Sequence, residues 1–464
     1  MEMTKELEVF RSAPVPKAVL KNTIPAMAAM LMVLIYNLAD ILFIGMTHDA
    51  YQVAAVSMAT PVFLIFMSVG TVFGIGGTSV ISRPLGEERM EYARRACSFC
   101  MWACVTVGVA MSALFFIFME RILAVMGTSA DTYAFAKSYL TIVSFSGPFV
   151  LIANCYSNVI RAEGQAGKAM MGQLLGNLLN VILDPIMILW FNWGITGAAI
   201  ATVIGNVFGA VYYIVYFLQG RSILSIHPRD FTVRNKVCSS ILVIGVPASF
   251  GSLLMSISQI VMNGQMVSFG DMAVAGIGVA SKVTMITGMV CIGFGQGVQA
   301  LLGYCVGANL WDRFKKIMIF SVVFSLGLSS VMTGICYLFT GRIVSVFLTE
   351  QAAFDYAVQF VRILLSTSFL FGVFYVLSNA LQAAGAATAA LIINLSRQGF
   401  IYIPALFVLK AALGANGLAL AQPVADLLST VLVVFLYIRT VKKMETGSRK
   451  MPIDQHSDAS VSVL

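Results

Sequence analysis

The sequence predicts an all-α polytopic membrane protein, with twelve transmembrane helices in two pseudo-symmetric bundles of six. Three observations carry that expectation. The first is composition. Of 464 residues, 59% are hydrophobic and only 11% charged, with a mean hydropathy of +0.89, whereas soluble domains are about 45–50% apolar and about 25% charged. The second is a succession of apolar runs about 20 residues long, each sufficient to cross a bilayer as a helix. The third is an internal repeat at an offset of about 220 residues, equal to six such runs.

Taken in order, the spans are placed to within about 2–4 residues. The first, 18–45, follows a polar lead and carries Asn37 and Asp40; no small-residue cleavage site ends it, so it reads as a retained span and not as a signal peptide. Spans 52–80 and 93–118 hold "GIGG" (74–77) and a row of cysteines, and 132–160 is the fourth. The fifth, 169–191, contains "NLLNVILDPIMILW", an aspartate followed by a proline inside an apolar run. The sixth, 195–218, opens on glycines. The second set is 238–268, 273–303, 317–340, 353–384, 387–410 and 414–438. Continuous runs exclude a β-barrel, whose strands alternate. The expected organisation is an N-lobe 1–220, a basic linker 221–237, a C-lobe 238–440 and a disordered tail 441–464.

Loop charge orients the chain. One side collects Lys5, Arg11, Lys17, Lys21, Arg83, Arg89, Arg94, Arg95, Arg161, Lys168, Arg221, Arg229, Arg234, Lys236, Arg313, Lys315, Lys316, Arg439, Lys442, Lys443, Arg449 and Lys450. The other has Arg121, Arg342 and Lys410. This bias places both termini in the cytoplasm. The net charge of +8 is thus loop charge facing an anionic leaflet, not a nucleic-acid surface.

The halves repeat in motif as well as length. "IPA" at Ile24 recurs as "VPA" at Val246, "VAAVSMATPV" from Val53 as "VAGIGVASKV" from Val274, and "SNVIRAEG" from Ser157 as "SNALQAAG" from Ser378. Gly194 and Gly197 recur as Gly414 and Gly417. Six spans is an even number, so both halves enter from the same side and the repeat is parallel.

Within the spans, polar groups gather at one depth. Asp40, Asp184, Thr202 and Tyr139 each lie about six or seven residues from the outer end of their span, about 9–11 Å deep. Asn180 and Asp184 are four residues apart, as are Tyr36 and Asp40, so each pair shares a helix face. Pro185 removes a backbone donor and frees the Val181 carbonyl. Carboxylates, amide and hydroxyl are hard oxygen ligands, suited to Na⁺ or to a shared proton. A carboxylate at this depth is costly, and such residues mark ion or substrate pathways. The alternative is two acids each satisfied for structure alone. The repeat positions of Asp40 and Asp184 fall at Val261 or Met262 and in "YIPALF" (402–407), without acids.

Asn37, Asn177, Gln259 and Asn379 are further polar groups in spans and candidates for a substrate cavity. Arg397 and Asp426 are expected to pair, since a buried charge needs a partner. Lys137, Lys282 and Arg362 lie nearer span ends and snorkel. Pro25, Pro185 and Pro247 are expected helix kinks. The eight cysteines read as small apolar filler rather than a disulfide or metal framework. The glycine clusters lack the following Lys-Ser/Thr of a P-loop and read as close helix packing.

"IPAMAAMLMVLIYNLADILFIG" (24–45), "GGTSVISRPLGE" (76–87), "NVIRAEGQAGKAMM" (158–171), "NLLNVILDPI" (177–186) and "WGITGAAIAT" (193–202) resemble the MATE (multidrug and toxic compound extrusion) family over nearly the whole chain. The resemblance implies two lobes in a V, open alternately to either side, that expel cationic amphiphilic drugs in exchange for Na⁺ or H⁺. It implies a cation site at Asp40, Asn180, Asp184 and Thr202, with Tyr36 and Tyr139 beside it. The acids that another branch carries in its second lobe have no counterpart in the core of helices 7 and 10. No cofactor is expected beyond the coupling ion. The expected partners are small drugs and the bilayer, the expected state a monomer in the bacterial cytoplasmic membrane, and no enzyme chemistry is visible. A flippase for a lipid-linked substrate is the alternative within the same superfamily.

Overall fold

The computed structural model of the protein describes residues 2–47, 49–125, 130–233, 236–348 and 350–449. Arg234, Lys450 and the tail from 450 onward, which entered the charge and domain readings, lie outside the described residues. All regular structure among the described residues is helical.

A short helix α1 (Glu2–Arg11) precedes α2 (Val15–Gly45), α3 (Ala50–Gly86), α4 (Met90–Ile117), α5 (Met119–Val125), α6 (Ala130–Phe145), α7 (Gly147–Ala162), α8 (Ala166–Pro185) and α9 (Gly194–Leu218). The second half follows as α10 (Val237–Met266), α11 (Asp271–Gly307), α12 (Trp311–Leu338), α13 (Thr340–Ser345), α14 (Gln351–Leu365), α15 (Phe371–Ala383), α16 (Ala387–Leu395) and α17 (Tyr402–Arg449). Nine helices among the described residues are long and apolar enough to cross a membrane, and eleven if each bent pair counts as one span. One of the nine runs from Ala387 to Thr446. It is interrupted at Gly414, whose φ of 63° is available to glycine at little cost. Dividing it there yields the expected twelve.

Three differences from the sequence reading have local causes. Span 132–160 is two helices, α6 and α7, bent by 56°. Ser146 donates its backbone N–H to Val143 O in the break, and Pro148 in the first turn of α7 has no N–H to continue the ladder. Span 353–384 likewise bends by 41° between Leu365 and Ser368, where Ser368 Oγ bonds the Leu364 carbonyl. The last helix does not stop at 438 but continues to Arg449. Residues 441–449 are therefore helical and not disordered; Lys315 Nζ reaches Glu445 Oε1 at 2.8 Å and Thr446 Oγ1 bonds the Lys442 carbonyl.

The two halves share one hydrophobic core at the end that carries α1 and residues 219–233. Leu85, Val80 and Ile81 of α3 belong to it together with Ile241, Phe294, Val298 and Tyr304 of the second half. At the far end the cores are separate: one contains Ile44, Ile188 and Ala198, the other Met262, Phe360 and Leu418 among others. The halves thus meet at the linker end and diverge away from it. Their contact requires glycine. A Cβ on Gly297 would sit 2.6 Å from the Thr23 Cα, and one on Gly245 would strike the Val72 carbonyl. Arg161 donates to Gln296 Oε1 (2.8 Å) and Ser79 to the Gln382 carbonyl (2.7 Å) across the same seam.

Candidate functional site

The site forms where α2, α6, α8 and α9 approach one another inside the first half. Buried positions on α8 are Ala166, Ala169, Gly172, Gly176, Asn180 and Asp184, a recurrence of three or four residues that makes one inward face. The helix ends at Pro185 and passes into a five-residue π-helical turn, Ile186–Trp190. Pro185 has no N–H for the i−4 bond, so the ladder is rebuilt with a longer step, and the Phe191 N–H bonds the Ile186 carbonyl.

Asp184 is fully buried, and Asn180 and Thr202 nearly so. With the Asn180 amide turned to match its neighbours, its nitrogen donates to Asp184 Oδ2 at 3.2 Å. Its oxygen then accepts from the Thr202 hydroxyl (3.3 Å) and backbone N–H (3.1 Å). Asp40, Tyr36 and Tyr139 stand within electrostatic range of Asp184 and of one another. Asp184 Oδ1 and Asp40 Oδ1 are both buried without a hydrogen-bond partner. Two acceptors in that state carry a penalty of roughly 1–3 kcal/mol each unless something donates to or coordinates them.

A cavity of about 60 Å³ adjoins this cluster. Tyr36, Asn180 and Thr202 line it at mid-helix, Gly172 and Tyr213 toward the linker end, and the amides of Asn154, Gln173, Asn177 and Asn206 lie along it. Asn177 Nδ2 is buried with no partner. Asn154, Gln173 and Asn206 were not singled out in the sequence, although Gln173–Asn177 and Thr202–Asn206 repeat the four-residue spacing of Asn180–Asp184.

The other singled-out residues lie elsewhere. Asn37 Nδ2 bonds the Val33 carbonyl of its own helix. Gln259 is exposed and donates to Asn263 Oδ1. Asn379 donates to the Tyr375 carbonyl. Arg397 Nε donates to Asp426 Oδ1 at 2.7 Å, both side chains being buried. Tyr375 Oη and Gln422 Nε2 complete that cluster at 2.8 and 2.9 Å from Arg397 Nη1 and Asp426 Oδ1 respectively. α2 and α10 run unbroken through Pro25 and Pro247. The cysteines are all free, most of them buried, and no group of three or more His, Cys, Asp or Glu among the described residues is arranged to hold a metal.

Outside the spans, Glu163 in the α7–α8 turn is buried. Its oxygens accept from Tyr216 Oη (2.7 Å) and Ser222 Oγ (2.6 Å), so it fastens the start of the linker segment. Burial pushes its carboxyl up to about 7, against the lowering effect of those bonds.

The family model MatE matches residues 25–186 and 247–408, one copy in each half. The chain belongs to the MatE family. The multidrug export protein MepA of Staphylococcus aureus strain N315 is 31% identical over 436 residues, 93% of this chain and 96% of that protein. MepA of Staphylococcus saprophyticus is 27% identical over 435 residues, with the same shares covered. Among solved structures, an outward-facing multidrug resistance MATE transporter superposes with a TM-score of 0.91 at 21% identity, over 95% of this chain and 99% of that one. A MOP-superfamily transporter from Pyrococcus furiosus, described as having reversed polarity in its binding pocket, superposes at 0.89 and 22%, with the same shares covered. The MatE fold of twelve helices in two repeats is the one seen here. The protein is a multi-pass membrane transporter of a multidrug-export family and not an enzyme, and members of the family need no cofactor.

Proposed function

We propose that the protein is a secondary active exporter that moves cationic amphiphilic molecules outward against Na⁺ or H⁺ by alternating access. One observation carries this reading. Two membrane-buried carboxyls in a single half each keep an oxygen without a hydrogen-bond partner, and the charge acting on Asp184 is that of Asp40. Two such acids repel one another unless a proton or a cation joins them. Asp40, Asp184, Asn180 and Thr202 supply hard oxygens, which fit Na⁺ or a proton equally. Filling the site relieves the repulsion and favours a different arrangement of the helices around it. A cationic substrate is attracted by the same charges when the site is empty of ions, so substrate and ion exclude one another.

In this reading the lobes are 1–220 and 238–440, joined by 221–237. Both termini lie in the cytoplasm of a bacterium, and a monomer suffices because the site is built within one half. The Staphylococcus relatives are multidrug export proteins, which supports the substrate class. The test is efflux of a cationic dye from proteoliposomes with a Na⁺ or a pH gradient imposed separately. Dye movement accelerated by at least one gradient is expected. Equal rates with and without either gradient would overturn the assignment.

A further inference from the structure

Helix α1 occupies an unusual place. Only residues 12–14 separate it from α2, so it moves with the first half unless those residues extend. Glu6 pairs with Lys21 of α2, Arg11 approaches Glu88 at 3.7 Å, and Gly164 of the α7–α8 turn lies against Glu6 and Phe10. All of these belong to the first half.

Other contacts of α1 cross to the second half. Arg313, in the first turn of α12, donates Nε to the Phe10 carbonyl (2.7 Å) and one terminal nitrogen to the carbonyls of Val9 (3.1 Å) and Ala13 (2.7 Å). Carbonyls at a helix C-terminus have no partner within the helix, and a cation is favoured beside them. Neighbouring Lys315 is engaged differently, with Glu445. Phe10 is 1% exposed, its ring edge-on to Tyr304 near the end of α11 with centroids 5.7 Å apart. Leu7 and Val9 pack on the same shared core.

We propose that α1 is a clip that holds the linker end shut, and that each transport cycle releases and remakes its contacts with Arg313 and Tyr304. The inference rests on the alternating-access reading above. Opening a path between the halves at this end parts α2 from α11 and α12. Three connecting residues span at most about 10 Å, so Phe10 cannot stay on Tyr304 while α2 withdraws with the first half. The clip is apolar and hydrogen-bonded at once: Phe10 leaves a buried site, and Arg313 gives up three carbonyls to water. The cost of releasing α1 therefore sets how readily this end opens.

Two experiments on the full chain test it. In a Phe10→Cys, Tyr304→Cys variant, a short thiol cross-linker should lower dye export from proteoliposomes by more than about tenfold, in the range of ordinary coupling energies. Export should return when the cross-linker is cleaved by reductant. Undiminished export by protein shown by intact mass to be fully cross-linked would overturn the proposal. In Arg313→Gln, maleimide labelling of the native Cys305, buried beside Tyr304, should quicken severalfold while labelling of Cys336, in the core of the far end, stays constant. Unchanged labelling of Cys305 would overturn it as well, and this arm decides if the double-cysteine protein fails to export before cross-linking. Labelling reads the linker end whatever the ion or substrate, so failure of the exporter reading in the gradient assay is distinguishable from failure of the clip.

Discussion

The two halves have the same fold and opposite electrostatic solutions in their interiors. Gly164 and Gly385, both at positive φ, stand 221 residues apart, and Gly194 and Gly414, also at positive φ, stand 220 apart. In that register Asn154, Thr202 and Asn206 of the first half correspond to Tyr375, Gln422 and Asp426 of the second, and Asn177 falls within about one residue of Arg397. The first set lines a cavity. The second set is bonded to itself around the Arg397 guanidinium, with the rings of Phe371, Phe374 and Tyr375 at 5.0, 4.7 and 5.2 Å from it. One half leaves room beside two uncompensated acids. The other carries its cation covalently and supplies its own acid. On the proposed reading, a duplicated fold assigns ion binding to one lobe by changing a few interior side chains.

The largest effect is expected from Asp184→Asn. Gradient-driven dye export should fall by more than about tenfold, with normal protein level in the membrane. Export at the wild-type rate would erase the distinction between the halves.

In the second half, Asp426→Asn should lower stability by about 3–5 kcal/mol, because it strands a buried guanidinium. Adding Arg397→Gln should recover most of that loss in detergent unfolding. A double variant no better than the single one would show that the pair is not the second half's internal counter-charge.

The comparison is sharpened by equilibrium binding. Saturating Na⁺, or acidification, should weaken binding of a fluorescent cation roughly 5–150-fold, and the cation should weaken Na⁺ binding by the same factor. An affinity indifferent to both would place coupling outside the first-half site.

The smallest effect concerns Glu163, whose counterpart in the repeat is Ala384. Its carboxyl is raised to about 7 from an ordinary 4.5. The protonated form is therefore the one the fold favours: the contribution to stability is complete below about 4.5 and is lost as pH rises through about 7. Glu163→Gln should raise the unfolding midpoint at pH 8 and leave it nearly unchanged at pH 4. Equal shifts at both values would mean that Glu163 is held as the anion.

Much of the architecture was legible in the residues because a bilayer leaves few alternatives. Backbone polar groups must be satisfied within each span, so apolar length counts helices directly. The Asn180–Asp184 face followed from spacing, and the partnership of Arg397 with Asp426 from the cost of a lone buried charge. The bends at Ser146–Gly147 and near Thr367 are marked only by three-residue runs, Ser146-Gly147-Pro148 and Ser366-Thr367-Ser368, which a hydropathy window of about 20 residues averages away.

By itself, then, the sequence determined the number and order of the spans, the parallel repeat and the presence of acids at the Asp40 and Asp184 positions without counterparts at the repeat positions, since period and polarity are written along the chain. Only the tertiary structure decided that Asn154, Asn177 and Asn206 share a cavity, that Tyr375 and Gln422 complete the ion pair, and that α1 bridges both halves through Arg313. Those relations join residues far apart in the chain, and they depend on rotations of one helix about its axis against another. Hydropathy does not encode such rotations. They are set by close packing at particular points, as where Gly297 admits the backbone of α2 at Thr23.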